Sequence, residues 1–123
     1  MGVSSYQQLK VWQVGIQLTK SAYELTQKFP KDELYGLTSQ MRRAAVSIPA
    51  NIAEGHARDS TKEFLHHISI ALGSLAELET MLVLAESFGY GNAAAIAPLL
   101  QNADEEGKML RGLQKTLKSR VDI

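Results

Sequence analysis

The feature that most constrains the fold is an uninterrupted apolar repeat in the second half of the chain. Its members recur at alternating steps of four and three residues: Phe64, Ile68, Ala71, Leu75, Leu78, Leu82 and Ala85. This spacing is typical of a long helix that packs against other helices at a crossing angle of about 20°. Ser60 and Glu63 stand at the start of the repeat, where they predict a reciprocal capping box.

Three further segments carry helical apolar spacing. The first has two stripes, one of Leu9, Trp12, Ile16 and Tyr23 and the other of Val11, Leu18 and Leu25. The second segment lies between Gly36 and Gly55, and the fourth carries Ile96, Leu99, Ala103, Leu110, Leu113 and Leu117. Glu106 interrupts the seam of the fourth segment.

These patterns predict an all-α protein. Long amphipathic helices joined by short turns bury their apolar faces most simply in an antiparallel up-and-down four-helix bundle. The length of 123 residues predicts a single domain over residues 1–123. The two stripes on the first helix exceed what one bundle buries, so we expect a homo-oligomer.

Pro49 lies inside the second predicted helix. Proline has no amide hydrogen and its ring clashes with the preceding turn, at a cost of about 3 kcal/mol in a helix interior. We therefore predict that this helix bends at Pro49 and that the carbonyl of Ala45 lacks its usual helical partner.

Composition excludes several classes of protein. The chain has no cysteine, which excludes disulfides, thiolate zinc sites and a cysteine nucleophile and suits a reducing cytoplasm. The first six residues lack the basic and apolar regions of a signal peptide. No apolar run approaches the roughly 20 residues that cross a bilayer. We expect a soluble cytoplasmic protein without membrane association.

The sequence offers no convincing site for metal binding or catalysis. Glu63 and His66 have the Glu-x-x-His spacing of di-iron bundles, but His56 has Ala53 in the corresponding position. Half of a di-iron site does not bind the metal pair. Since no catalytic triad, phosphate loop or carboxylate pair is present, we predict no enzyme activity, no catalytic residue, no metal and no cofactor.

Charge is segregated along a chain whose net charge is zero. Residues 63–107 hold seven acidic and no basic side chains, whereas residues 108–120 hold five basic and no acidic ones. Four of the basic residues share about one quadrant of the fourth helix: Lys108, Arg111, Lys115 and Lys118. This strip is either a solvated outer face or a surface that faces phosphate groups.

Arg42 and Arg43 have three interpretations. They are solvated, or they contact nucleic acid together with Arg58 and Lys62, or they pair with an acidic residue of the third helix. Glu79 favours the last interpretation, because it lies on a stripe whose other members are apolar and its carboxylate needs a partner. We predict a partly buried ion pair between Glu79 and Arg42 or Arg43.

Several motifs together resemble a known family: Phe29-Pro-Lys-Asp-Glu-Leu-Tyr-Gly-Leu37, Gln40-Met-Arg-Arg-Ala-Ala-Val-Ser-Ile-Pro49, Asn51-Ile-Ala-Glu-Gly55, Leu72-Gly-Ser-Leu-Ala-Glu-Leu-Glu-Thr80 and Gly107-Lys-Met-Leu110. The chain resembles the bacterial four-helix-bundle proteins encoded in 23S ribosomal RNA intervening sequences. That family is similar in turn to the accessory variability protein of diversity-generating retroelements. The resemblance implies a ring-like homo-oligomer, a pentamer in the relatives, with a role in handling nucleic acid or a reverse transcriptase partner.

Together these observations predict a non-enzymatic, oligomeric binding or scaffolding protein, with RNA, DNA or a nucleic-acid enzyme as its partner. The alternative is a protein–protein assembly factor that binds no nucleic acid. The neutral net charge separates this chain from the retroelement relative, which is distinctly basic. Any nucleic-acid binding must therefore come from basic residues concentrated on one surface.

Overall fold

The computed structural model describes residues 5–121, which form four long α-helices and no strand. The helices are α1 (Lys10–Thr26), α2 (Leu37–Ala57), α3 (Thr61–Ser87) and α4 (Ala93–Val121). Short 3-10 turns at Tyr6–Gln8 and Lys31–Glu33 precede α1 and α2. The predicted all-α class is confirmed. The predicted domain, 1–123, extends at both ends beyond the described residues, as does most of the segment compared with a signal peptide.

Each helix packs on the two helices that lie beside it in the bundle. The backbone of α1 lies beside that of α2, α2 beside α3, α3 beside α4, and α4 beside α1, whereas within the described range the backbones of the diagonal pairs do not come close. Short connections at residues 58–60 and 88–92 force consecutive helices to run antiparallel. The arrangement is the predicted up-and-down four-helix bundle.

The apolar repeat of α3 forms the centre of the core. From Ile68 to Ala85 every member of the repeat is at most 3% exposed. By length and composition, α3 is the one described helix that could cross a bilayer. It does not meet the expectation that no apolar run approaches the roughly 20 residues that cross a bilayer. Its apolar seam lies inside the bundle, and the core helix of a soluble protein has the same composition.

The start of α3 differs in part from the predicted capping box. The hydroxyl of Ser60 accepts a hydrogen bond from the amide of Glu63 at 3.2 Å, as predicted. The reciprocal bond is absent, because the amide of Ser60 donates to the carbonyl of Arg58 at 2.8 Å. The Glu63 carboxylate lies 3.6 Å from the Arg58 guanidinium instead.

α2 continues through Pro49, and a neighbouring helix compensates for the missing amide. The hydroxyl of Thr19 on α1 lies 3.1 Å from the carbonyl oxygen of Ala45 and 2.9 Å from that of Gly15. A tertiary contact thus supplies a donor to the acceptor that Pro49 leaves without its helical partner. The bend at Pro49 stays a prediction.

Replacement of Thr19 by valine tests this compensation. Thr19→Val keeps the shape of the side chain and removes its hydroxyl donor, so we expect the free energy of unfolding to fall by about 1 kcal/mol. Urea denaturation measures the change. Thr80→Val is the matched control, because the Thr80 hydroxyl is exposed and bonds only within its own helix, to Ala76. Equal stability of the two variants would contradict the compensation.

Candidate functional site

The four basic residues of α4 lie on one continuous, exposed helix face, but their surroundings differ. Lys108 forms an ion pair with Asp104 at 3.3 Å. Lys108 and Arg111 also line a narrow groove between α3 and α4 together with Glu79. Lys115 and Lys118 form no ion pair with any described residue. Arg111 shares the groove with Glu79 but also forms no ion pair with a described residue, so the uncompensated positive charge of the strip extends from Arg111 to Lys118.

Arg42 is a packing residue. Its Nε donates a hydrogen bond to the hydroxyl of Thr26 at 2.8 Å, and its guanidinium carbon lies 4.6 Å from the centre of the Tyr23 ring. Both partners belong to α1, so Arg42 fastens α2 to α1. A cation that stacks on an aromatic ring and bonds a buried hydroxyl is not free to face phosphate.

The predicted ion pair of Glu79 with Arg42 or Arg43 is wrong within the chain, since none of the ion pairs among residues 5–121 joins them. Glu79 lies on the α4 side of α3, in the groove with Lys108 and Arg111. Arg43 lies in a different groove, between α2 and α3, near Glu77. The stripe that carries Glu79 thus faces α4, and the sequence alone did not distinguish the two sides of α3.

Arg58 and Lys62 lie at the end of the bundle where α2 turns into α3. The Arg58 guanidinium is 2.8 Å from the Glu54 carboxylate and 3.6 Å from that of Glu63. Through its hydrogen bond, Glu54 raises the pKa of Arg58 and Arg58 lowers the pKa of Glu54. Lys62 is exposed, and because α3 and α4 are antiparallel it lies at the same end as Lys118.

The sequence analysis missed a chain of polar contacts along the α2–α3 interface, which we call the polar seam. The Ser74 hydroxyl donates to the Ser47 hydroxyl at 2.8 Å, and the Asn51 amide donates to the Ser47 carbonyl at 2.8 Å. The Asn51 oxygen then lies 2.9 Å from Nδ1 of His67. Because that oxygen is an acceptor only, Nδ1 must carry the proton.

The polar seam continues to the surface through Glu54, whose carboxylate is 3.8 Å from Nε2 of His67. The sequence did contain a signal for the polar seam. Its polar residues on and directly after α2 recur at the helical steps of four, three and four: Ser47, Asn51, Glu54 and Arg58. His56 packs edge-on against Phe64, with ring centres 5.8 Å apart. Among residues 5–121 no group of three or more His, Cys, Asp or Glu side chains could hold a metal ion.

Comparison with known proteins agrees with this architecture. The family model described as 23S rRNA-intervening sequence protein matches residues 7–112. The chain belongs to the 23S rRNA-intervening sequence protein family. A crystal structure of a protein with unknown function from the S23 ribosomal protein family of Bacteroides thetaiotaomicron superimposes with a TM-score of 0.80. It is 23% identical and covers 85% of this chain and 98% of its own, a likeness that shows the fold.

No curated protein matches the chain significantly. The family membership confirms the resemblance to 23S rRNA-intervening sequence proteins that the motifs indicate. The relation to the accessory protein of retroelements stays a prediction. Neither the family description nor the matched structure points to catalysis.

One motif of the chain has a direct structural explanation. Asn51 and Glu54 belong to the polar seam, and Gly55 sits where α2 and α3 approach closely. A Cβ atom on Gly55 would lie 2.7 Å from the Cβ of His67 and 2.9 Å from a ring carbon of Phe64. The motif Asn51-Ile-Ala-Glu-Gly55 therefore defines how closely the two helices pack.

Substitution of Gly55 tests this close approach. Gly55→Ala forces α2 and α3 apart, because a Cβ–Cβ distance of 2.7 Å is a steric clash, and we expect a loss of about 1–3 kcal/mol in unfolding free energy. Gly73→Ala is the matched control, since a Cβ there meets nothing within 4 Å and alanine favours the helix by up to about 1 kcal/mol. Thermal denaturation followed by circular dichroism measures both. A Gly55→Ala variant as stable as Gly73→Ala would contradict the prediction.

Proposed function

We propose that this protein is a non-enzymatic, oligomeric binding module that contacts the phosphate backbone of nucleic acid through the C-terminal half of α4, alone or beside a nucleic-acid enzyme. The observation that carries the proposal is the exposure of Lys115 and Lys118 without an ion pair among the described residues. Lys62 adds positive charge at the same end of the bundle.

The proposed binding is electrostatic and independent of base sequence. The basic face of α4 contains no aromatic side chain on which a base could stack. The proposed interface does not include three other candidate arginines. Arg42 packs on α1, Arg43 lies in the α2–α3 groove, and Arg58 is paired with Glu54. Phosphate contacts alone give affinity that falls steeply with salt.

A neutral protomer binds a polyanion weakly, so the proposal requires several copies. The stripe of Leu9, Trp12, Ile16 and Tyr23 supports self-association, because none of these four residues is fully buried in the bundle. Covering them against a second copy would remove apolar surface from water. Repetition of the α4 face in an oligomer multiplies a weak local interaction. The pentameric ring is the assembly that the family resemblance implies, and the reducing cytoplasm is the compartment that the lack of cysteine favours.

Charge reversal tests the proposed interface. Lys115→Glu with Lys118→Glu should weaken binding to structured RNA and to duplex DNA at least tenfold at low salt, and should reduce the slope of log affinity against log salt. Fluorescence anisotropy measures the affinities. Lys20→Glu with Lys28→Glu is the matched control, because Lys20 on α1 and Lys28 in the turn after it are both exposed, away from the proposed interface. Unchanged binding in the α4 variant would contradict the proposal.

Light scattering tests self-association separately. We expect a mass that is a multiple of the 13.5 kDa chain, and we expect Ile16→Asp to lower that mass while helicity is retained. A particle of 13.5 kDa at micromolar concentration would contradict the oligomer.

A protein–protein assembly factor is the second candidate. Large apolar side chains are exposed near the opposite end of the bundle: Leu34, Tyr35, Val83, Leu84 and Phe88. An exposed apolar surface of this kind suits a protein partner. Absence of nucleic-acid binding by the parent at low salt, with an intact oligomer, would favour this candidate.

A further inference from the structure

Glu106 is a buried carboxyl group that the proposed function does not use. It occupies a core position of α4 between Ala103 and Leu110, and its side chain is 0% exposed. Neither Oε1 nor Oε2 has a hydrogen-bond partner. Isolated charge is strongly disfavoured in such a place, so the group is held in its neutral form.

Three helices converge on this carboxyl group. A Cβ atom built on Gly15 of α1 would lie 3.2 Å from Oε2 of Glu106 and 3.3 Å from the Cβ of Pro49 on α2. The missing side chain at Gly15 therefore leaves the room that the carboxyl fills. Glu106 thus lies where α4 closes on α1 and α2.

Among residues 5–121 no charged group faces Glu106. α1 presents Gly15, and the Thr19 hydroxyl one turn later is within bonding distance of backbone carbonyls. α2 presents Pro49, and α3 contacts the adjacent Gly107 through Leu75. On α4 itself Glu105 and Lys108 are exposed. Burial alone raises the pKa of Glu106, to about 8.

We propose that Glu106 is a proton-controlled latch, whose protonated form lets α4 close on α1 and whose ionised form favours an opened α1–α4 interface that admits water to the carboxylate. α1 is the helix that yields, because Oε2 is directed at Gly15 and α4 packs less extensively on α1 than on α3. The latch is independent of the proposed nucleic-acid interface.

The direction of the pH dependence follows from proton linkage. In the open form the carboxyl has its ordinary pKa of 4.5, and in the closed form its pKa is about 8. The closed form binds the proton more tightly than the open form. The resulting stabilisation of the closed form relative to the open form is fully present below pH 4.5 and is lost as the pH rises toward 8. The ratio of open to closed molecules should rise about tenfold per pH unit in that interval and then level off.

Amide hydrogen exchange of the full chain from pH 5 to 9, corrected for the intrinsic exchange rate, tests the latch. Protection around residues 15 and 106 should fall about tenfold per pH unit up to pH 8, and at each pH it should be lower than protection at the centre of the α2–α3 interface, which requires a larger opening. Acrylamide quenching of the single tryptophan, Trp12, which lies one turn before Gly15, should rise in parallel.

Glu106→Gln should abolish this pH dependence, and Glu106→Leu provides a second uncharged variant if the amide fails to fold. Glu105→Gln is the matched control, because Glu105 is the exposed neighbour on the same helix, and it should behave like the parent. The same pH dependence in both uncharged variants, or equal protection of all four helices at each pH, would overturn the latch.

Discussion

The close packing of α2 against α3 is the constraint on which the rest of the structure depends. This is the most extensive helix pair of the bundle, and it combines an apolar seam with a line of hydrogen bonds. Gly55 permits the close approach to His67, and Ser47, Asn51, Ser74 and His67 satisfy one another beside the core. Because such bonds have strict geometry, they define the register of the two helices in a way that apolar contacts alone do not.

α1 and α4 complete the bundle around a second, more vulnerable point. Pro49 removes a backbone donor from α2, Thr19 of α1 restores one, and Gly15 leaves space for Glu106 of α4. The Thr19 hydroxyl thus compensates for the missing amide of Pro49, and the space at Gly15 accommodates the buried carboxyl group of Glu106. The α2–α3 pair is thus the most extensive contact of the bundle, and the proposed latch acts where α4 meets α1.

The distribution of charge shows why position matters more than total charge for the proposed function. Eight basic residues were candidates for a nucleic-acid surface, yet Arg42 packs on Tyr23 and Arg58 is occupied by Glu54. Among the described residues, the exposed candidates that form no ion pair are Arg43, Lys62, Arg111, Lys115 and Lys118, and Lys62 lies at the same end of the bundle as Lys118. A neutral chain thus has a local basic surface whose effect depends on how many copies assemble.

The sequence by itself determined the four helices, their antiparallel order and nearly all of the core, because a residue's burial in a bundle follows from its place in the repeat. It also located the missing backbone donor at Pro49 and the basic face of α4, since both are properties of a single helix. Only the tertiary structure decided which neighbouring helix is faced by the residues on either side of each apolar seam. Glu79 and Arg42 lie at flanking positions that one helical repeat cannot assign to a neighbour, and Glu79 turned to α4 while Arg42 turned to α1. The polar seam was not predicted for the same reason, because its hydrogen bonds join residues of two different helices. The isolation of the Glu106 carboxyl group was not predicted either, because it depends on what the neighbouring helices place around it.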